Sequence, residues 1–302
     1  MCIRDSNNLG NVFQELGKYQ EAKSCYQHAI KLNPEYVEGH YNLGCVLERF
    51  GRMKEALSSY TTAVSYKLNY TKALHNLGRA QLATDDYKNG WLGHELRKGG
   101  TQKTYKSLGI SDKNIWNGKK FDGPLIVHGE QGIGDEILYS SMFSDLKNYH
   151  DDLTITTDER LIPIMQRSFS KINFISRDKN ISSHKNSSST HILAGSLGRV
   201  FRNSLNDFKK NKQNWLIPCS KKCDEFKKRL LNLKKIKVGI SWRSSGVRSS
   251  ERNISLIKLA SIFPKKNFEI INLEYGDISF EKKMLEKIRK DLEKIKKKKK
   301  KL

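Results

Sequence analysis

Along the first third of the chain, apolar and small positions recur at helical spacing, and the whole pattern then returns at a fixed interval. NNLGNVFQELGKYQEAKSCYQHAIKLNP (Asn7 to Pro34) aligns with YNLGCVLERFGRMKEALSSYTTAVSYKL (Tyr41 to Leu68) at a shift of 34 residues. Leu9 matches Leu43, Gly10 Gly44, Gly17 Gly51, Ala22 Ala56, Tyr26 Tyr60, and Ala29 Ala63. Each block predicts two amphipathic helices around a glycine turn. Units of this kind bury a continuous core only by stacking on their neighbours. In that stack Gly10 and Ala22 let paired helices approach, Phe13 and Tyr26 fill the space between hairpins, Gly17 turns the chain and Pro34 ends the second helix.

A third unit opens with ALHNLGRAQL, where Leu77 and Gly78 hold the register. It then departs, with Asp85, Gly90 and His94 standing where the earlier units have Gly, Ala and Tyr. A terminal unit has to cap the stack or dock on a neighbouring domain, so departures are expected there. The period and its L-G…G…A…Y…A order resemble the tetratricopeptide repeat, over 7–98. The resemblance implies an α-helical solenoid whose concave surface binds a protein or peptide. Asn8, Asn11, Asn42 and Asn76 are the candidate peptide contacts on the first helices. Asn8, Asn42 and Asn76 recur at the 34-residue period, and a side-chain amide can donate to and accept from an extended backbone.

From Gly99 the period vanishes, and 99–121 reads as a linker. Short β-rich runs follow (PLIVHG, LTITT, KINFI, HILAG, KVGISW and FEIINLEY), separated by helical stretches such as DEILYSSMFSDL and DERLIPIMQRSF. Strands alternating with helices predict a parallel sheet. A charged helix near Cys219 to Lys235 precedes KVGISW, where the alternation restarts. The expected fold class is therefore α followed by α/β: the helical array, a Rossmann-like lobe over 122–220, and an incomplete second Rossmann-like lobe over 235–302.

The segment PLIVHGEQGIGDEILYSSMFSDL (Pro124 to Leu146) sets a buried strand, a glycine-containing loop and a helix in succession. Ligands of such sheets lie beyond the carboxyl ends of strands, where the next helix points its free N–H groups. Gly129, Gly132 and Gly134 allow a tight loop. Their GxxGxG spacing is neither the dinucleotide fingerprint nor a P-loop, which excludes NAD binding and an ATPase. Asp135 is a candidate helix cap, and His128, at the strand end, is the histidine nearest the loop.

The run WNGKKFDGPLIVHGEQGIGDEI, the preceding GWLGHELR (Gly90, Trp91, Glu95, Arg97), and the later ILAGSLGRVFR and VGISWRSSGVRSSERNISL together resemble bacterial proteins that join tetratricopeptide repeats to a glycosyltransferase-like domain. That domain is similar to heptosyltransferases and to protein O-linked N-acetylglucosaminyltransferase. The resemblance implies a two-lobed GT-B fold and a metal-independent transfer from a nucleotide sugar to a protein or glycan. It casts Asp135 as general base, Gln131, Gly132 and Gly134 as the substrate-side loop, and Arg243 and Arg252 as forks for diphosphate oxygens. A later D-L-V-I-x-V-D-T…H-L-A-G-A segment of the family has no counterpart. The chain instead runs into EKIRKDLEKIKKKKKKL, so an inactive fragment is expected. Trp91, Glu95 and Arg97 read as junction packing.

Composition adds two alternatives. The formal charge is +24, and the stretch from Asn203 to Leu302 carries 29 Lys+Arg against 11 Asp+Glu. That excess raises nucleic acid as a partner, but without interleaved aromatics or a known motif the strip is a weak nucleic-acid signature. The other alternative is a non-catalytic scaffold that binds proteins through its repeats. Five dispersed cysteines fit a reducing compartment, and no apolar run approaches a membrane span, so the expectation is a cytoplasmic chain. Cys219 and Cys223 lack the second pair that a zinc site needs, and no metal is expected.

Overall fold

Each repeat block holds two amphipathic runs separated by one residue at positive φ, and that is enough to make three antiparallel hairpins. In the computed structural model these are α1 (Ile3–Glu15) with α2 (Tyr19–Leu32), α3 (Val37–Arg49) with α4 (Met53–Tyr66), and α5 (Thr71–Ala83) with α6 (Tyr87–His94). Gly17 and Gly51 turn at φ +73° and +72°, and Asp85 takes the same turn at 67°. Aspartate is among the few side chains that visit this region, and here its Oδ1 accepts a 2.7 Å bond from the Tyr87 hydroxyl. The third hairpin thus keeps the turn after losing the glycine.

Close approach is enforced by small residues. A Cβ on Gly10 would stand 2.5 Å from the Tyr26 ring, and one on Gly44 2.5 Å from Tyr60. Ala22, Tyr26 and Val46 form one buried cluster with Phe13, Tyr19 and Leu43, and Leu47, Ala56, Tyr60 and Ala80 form the next. Ile3 to Ser6, which fit no helical period, nevertheless make the first turn of α1. The reason is local, since Cys2 N–H donates to Asp5 Oδ2 at 3.0 Å and Ser6 Oγ donates to the Cys2 carbonyl at 3.1 Å.

The structure describes residues 2–97, 100–130, 132–177, 189–209, 214–241, 253–263, 267–273, 279 and 283. It forms two units, 1–218 and 219–302. In the first, the stretch read as a linker contains α7 (Thr101–Ser107) and a 3-10 turn, Asp112–Asn114. It is tied to the sheet, because Ile115 bridges His191 and Trp116 N–H donates to the His191 carbonyl at 2.8 Å. The sheet contains β1 (Leu125–His128), β2 (Leu153–Thr157), β3 (Asn173–Ser176) and β4 (Thr190–Leu193), all parallel in the order β3-β2-β1-β4. The helices α8 (Ile133–Ser140), α9 (Phe143–Lys147) and α10 (Ile162–Ser168) lie between strands in sequence, and α11 (Leu197–Phe201) and α12 (Leu205–Lys209) follow β4.

β1 is buried at every position, as an interior parallel strand must be. Leu125 and Val127 pack with Phe143, Leu146, Ile155 and Met165 into the main core. The second unit contains α13 (Ser220–Leu231), β5 (Ile236–Ile240), a helix at Leu256–Ile262 and β6 (Phe268–Asn272). β5 and β6 are parallel, and Ile240 and Leu256 anchor a small cluster beside them. The chain is therefore a helical repeat region followed by a part with a four-stranded parallel sheet. Among the described residues, no helix is long and apolar enough to cross a membrane.

Ala22 and Ala56 are fully buried at matching positions of the stack. Replacing either with phenylalanine should overpack its hairpin and cost about 1–3 kcal/mol. Thermal melting measures this, and unchanged melting of both variants would contradict the register.

Candidate functional site at the repeat–sheet junction

The departures of the third repeat are what seat it on the sheet. Gly90 and Gly93 bring α6 against α5 so closely that a Cβ on Gly93 would lie 2.6 Å from the Gly78 Cα. His94 occupies the register position of Tyr26 and Tyr60, whose hydroxyls bond within the repeats. It instead turns to the sheet side, with Nε2 3.3 Å from the Tyr139 hydroxyl on α8. Trp91 donates from Nε1 to the Arg202 carbonyl at 2.6 Å. Its ring lies over Gly198, where any Cβ would clash at 2.4 Å.

Arg97, just past α6, is 3% exposed and supplies the strongest link. Its Nε and Nη2 donate to the Glu130 carboxylate, with Nε 3.1 Å from Oε2. Nη1 donates to the His94 carbonyl at 3.1 Å, and Nη2 also reaches Ser196 Oγ at 3.1 Å. Glu130 in turn accepts the Gly195 N–H at 2.8 Å, while Glu95 accepts from Ser196 Oγ at 3.1 Å. Burial works against the arginine's charge, but the Glu130 hydrogen bonds, together with the Glu130 and Glu95 charges, outweigh it and raise its pKa.

The loop after β1 is thereby pinned at both ends. Before it, Gly129 N–H donates to the Thr156 carbonyl, and a Cβ there would stand 2.4 Å from that oxygen. Beyond it, buried Glu136 accepts from Thr157 Oγ1 at 2.5 Å, Asp158 N–H at 2.8 Å and Arg177 Nη1 at 2.5 Å. Gly132 is the N-cap of α8, and its N–H donates to Asp135 Oδ2 at 3.2 Å. The helix therefore begins ahead of Asp135, which closes the first turn from inside. Gly132 and Gly134 have ordinary negative φ, and a Cβ on Gly134 would meet nothing within 4 Å. Packing explains Gly129 and leaves Gly132 and Gly134 open.

Asp135 faces a cleft of about 640 Å³ between α5, α6 and α8. His75 and Arg79 of α5, His94, Arg97 and Tyr139 line the other sides. Burial, reinforced by Arg97, His75 and Arg79, holds His94 down to about 3, and burial with the same arginines lowers His75. Burial pushes Tyr139 up to about 12. At neutral pH the cleft thus offers neutral imidazoles and a phenol as hydrogen-bonding groups, beside Asp135 and the ion-paired Arg79 and Arg97. His128 lies outside the cleft, buried, with Nε2 3.0 Å from His191 Nδ1 on β4.

The structure brings Gly132, Gly134 and Asp135 together at one helix end. Gln131, Arg243 and Arg252 lie outside the described residues. Asn8, Asn11, Asn42 and Asn76 sit on the first helices and do not line this cleft, although Asn76 shares α5 with His75 and Arg79. His75, Arg79 and Tyr139 were not identified by sequence reasoning, since nothing in their local sequence marks them and only the fold makes them neighbours. Among the described residues, no group of three or more His, Cys, Asp or Glu side chains is placed to hold a metal ion.

Comparison with known proteins agrees on the repeats. Residues 10–51 match the TPR repeat family and residues 37–70 match the tetratricopeptide repeat. No curated protein matches the chain. Among solved structures, it resembles the second TPR of Spaghetti (RPAP3) bound to the HSP90 peptide SRMEEVD, with 22% identity over 32% of this chain and 88% of that one, at a TM-score of 0.31. The TPR2B domain of yeast Sti1 in complex with pHsp70 gives 18% identity, 35% and 90% coverage and a TM-score of 0.31. The Arabidopsis OM64 TPR domain gives 20% identity, 35% and 95% coverage and a TM-score of 0.32. The N-terminal part of the chain is built of tetratricopeptide repeats.

Two outcomes follow from the junction. Arg97→Met strands the buried Glu130 charge and should cost about 3–5 kcal/mol in denaturant unfolding. Adding Glu130→Gln, which removes the charge but keeps an acceptor for Gly195 N–H, should recover part of that loss. His94 is neutral in the fold and takes up a proton when unfolded, so its contribution is complete above pH 6.5 and lost as pH falls toward about 3. Over that window the native chain should lose up to about 1.4 kcal/mol per pH unit more than His94→Gln does, as read from unfolding curves across pH.

Proposed function

We propose that the chain is a peptide-recognition protein whose tetratricopeptide part binds an extended polypeptide along the side lined by α1, α3 and α5. The observation that carries this reading is a polar ladder that runs between these helices alongside their apolar contacts. Asn42 Nδ2 donates to Asn7 Oδ1 at 2.9 Å and to Asn11 Oδ1 at 3.3 Å. One repeat on, Asn76 Nδ2 reaches the Tyr60 hydroxyl at 3.4 Å and Cys45 Sγ at 3.6 Å, and Arg79 pairs with Glu48. The ladder engages the amide nitrogens of Asn42 and Asn76 and leaves their carbonyl oxygens for backbone N–H groups of a ligand. Asn8 is exposed at the equivalent position. The free thiols suit a reducing, cytoplasmic setting.

A second reading concerns the sheet part and rests on Asp135. Beyond the carboxyl end of β1, where ligands of parallel sheets bind, its Oδ1 has no bond among the described residues. It faces the cleft next to two glycines that packing does not require. In this reading the domain is glycosyltransferase-like, of GT-B type and metal-independent. Asp135 takes the proton of an acceptor hydroxyl as that oxygen attacks the anomeric carbon and the nucleoside diphosphate departs. Gln131, Arg243 and Arg252 would serve the nucleotide sugar.

Peptide-array screening followed by fluorescence anisotropy tests the first reading. Asn8→Ala should leave melting unchanged and weaken the best peptide by about fivefold, the worth of one hydrogen bond. An array without binders would refute it. For the second, Asp135→Asn should keep the fold and lower turnover with nucleotide sugars by about 100-fold or more, and near-normal turnover would reduce Asp135 to a capping residue.

A further inference from the structure

The first helix of the second unit is amphipathic, yet none of its positions is buried. In α13, Cys223, Phe226 and Leu230 follow the N-cap Cys219 at i+4, i+7 and i+11, which sets all four on one side of a 3.6-residue helix. A helix of similar length and pattern, α2, buries Ala22, Tyr26 and Ala29. α13 buries no residue, and Phe226 is 53% exposed. Around the same axis Lys222 and Arg229 border the apolar side on one flank and Lys227 on the other, while Asp224 and Glu225 fall further round. The Arg229 guanidinium lies 5.5 Å from the centre of the Phe226 ring, so cation and ring stand together. Leu231 at the end of the helix and Ile236 beyond it are also exposed, with Lys234 and Lys235 between them in sequence. From Ser220 to Lys237 there are eight Lys+Arg against two Asp+Glu.

We propose that α13 is a membrane-surface anchor that lies along a bilayer rich in anionic phospholipid headgroups. Phe226 and Leu230 enter the boundary between headgroups and acyl chains. Lys222, Lys227 and Arg229 stay at headgroup level, where their stems cover apolar surface and their charges meet phosphate. Charge selects this occupant. An apolar groove on another protein would answer to Phe226 alone, whereas cations on both flanks call for negative charge on both sides of the apolar strip, which an anionic bilayer supplies. Nucleic acid would answer to the cations and leave the apolar side unused. At 12 residues α13 is far shorter than the about 20 needed to span a bilayer, so it lies in the plane of the surface.

Co-sedimentation of the full chain with lipid vesicles provides the test. The chain should sediment with mixed phosphatidylglycerol and phosphatidylcholine vesicles and stay in solution with phosphatidylcholine alone. Phe226→Asp should melt as the parent does, because the ring is exposed, and bind the mixed vesicles about tenfold or more weakly. Lys222→Gln and Lys227→Gln should each weaken binding by about fivefold at low salt. Lysines elsewhere in the chain also attract anionic vesicles, so amide hydrogen exchange is followed within α13, where it should slow on binding. Vesicle binding with unchanged exchange in α13, or an affinity that Phe226→Asp leaves intact, would overturn the proposal. So would protection of α13 by single-stranded RNA and not by the vesicles, which would assign this surface to nucleic acid.

Discussion

A buried guanidinium with a single way out governs this architecture. Arg97 is almost wholly withdrawn from water at the edge of the cleft, so the fold must bring carboxylates to it, and Glu130 and Glu95 supply them. Glu130 sits in the loop after β1, and its other bond holds the Gly195 backbone after β4. One side chain from the helical region therefore fixes the spacing of two strand ends. Breaking any member leaves a charge or a donor stranded in a region of low polarisability, which is why the arrangement persists as a unit.

The cleft owes its shape to this constraint. α8 is held from its far side by Glu136, bound to Thr157 and Asp158 at the end of β2, and from its near side through Tyr139 and His94. Between these anchors the first turn of α8 is left open, with Gly132 and Gly134 unpacked and Asp135 facing outward. A rigid frame around an unpacked turn suits ligand approach, because ordering has already been met by the frame and little is lost when a ligand arrives. The helical wall makes the cleft a property of both parts of the unit, and neither the repeats nor the sheet contains it alone.

Much of the first third was legible because repeat packing is local. Gly10 under Tyr26 is a contact within one hairpin and Ala22 is buried between that hairpin and the next, so the repeat spacing alone reveals both. The six strands among the described residues likewise fall on the six β-rich runs. What resisted reading was set by chain-distant partners. Arg97 and Glu130 stand 33 residues apart, Trp91 and Arg202 111 apart, and no periodicity connects them. Ile3 to Ser6 lack a helical pattern yet form a helical turn through Asp5 and Ser6 capping bonds, which hydropathy does not register. The 99–121 stretch reads as linker by its composition, and its α7 is short enough to depend on tertiary contacts such as that between Tyr105 and Leu193. The asparagines recur for a reason that sequence left open: two of them first serve the array's own ladder.

The third hairpin's conversion from stacking unit to docking unit gives the array a direction. Its Tyr-to-His exchange and its Gly78–Gly93 contact suit it to the sheet and unsuit it for the middle of a stack. The first two hairpins share the same small-residue and tyrosine contacts, so either can be duplicated or lost without touching the junction. A repeat added or removed ahead of Thr71 would leave the Arg97–Glu130 and Trp91–Arg202 contacts in place. The sheet and its cleft can be inherited unchanged while the reach of the recognition surface lengthens or shortens.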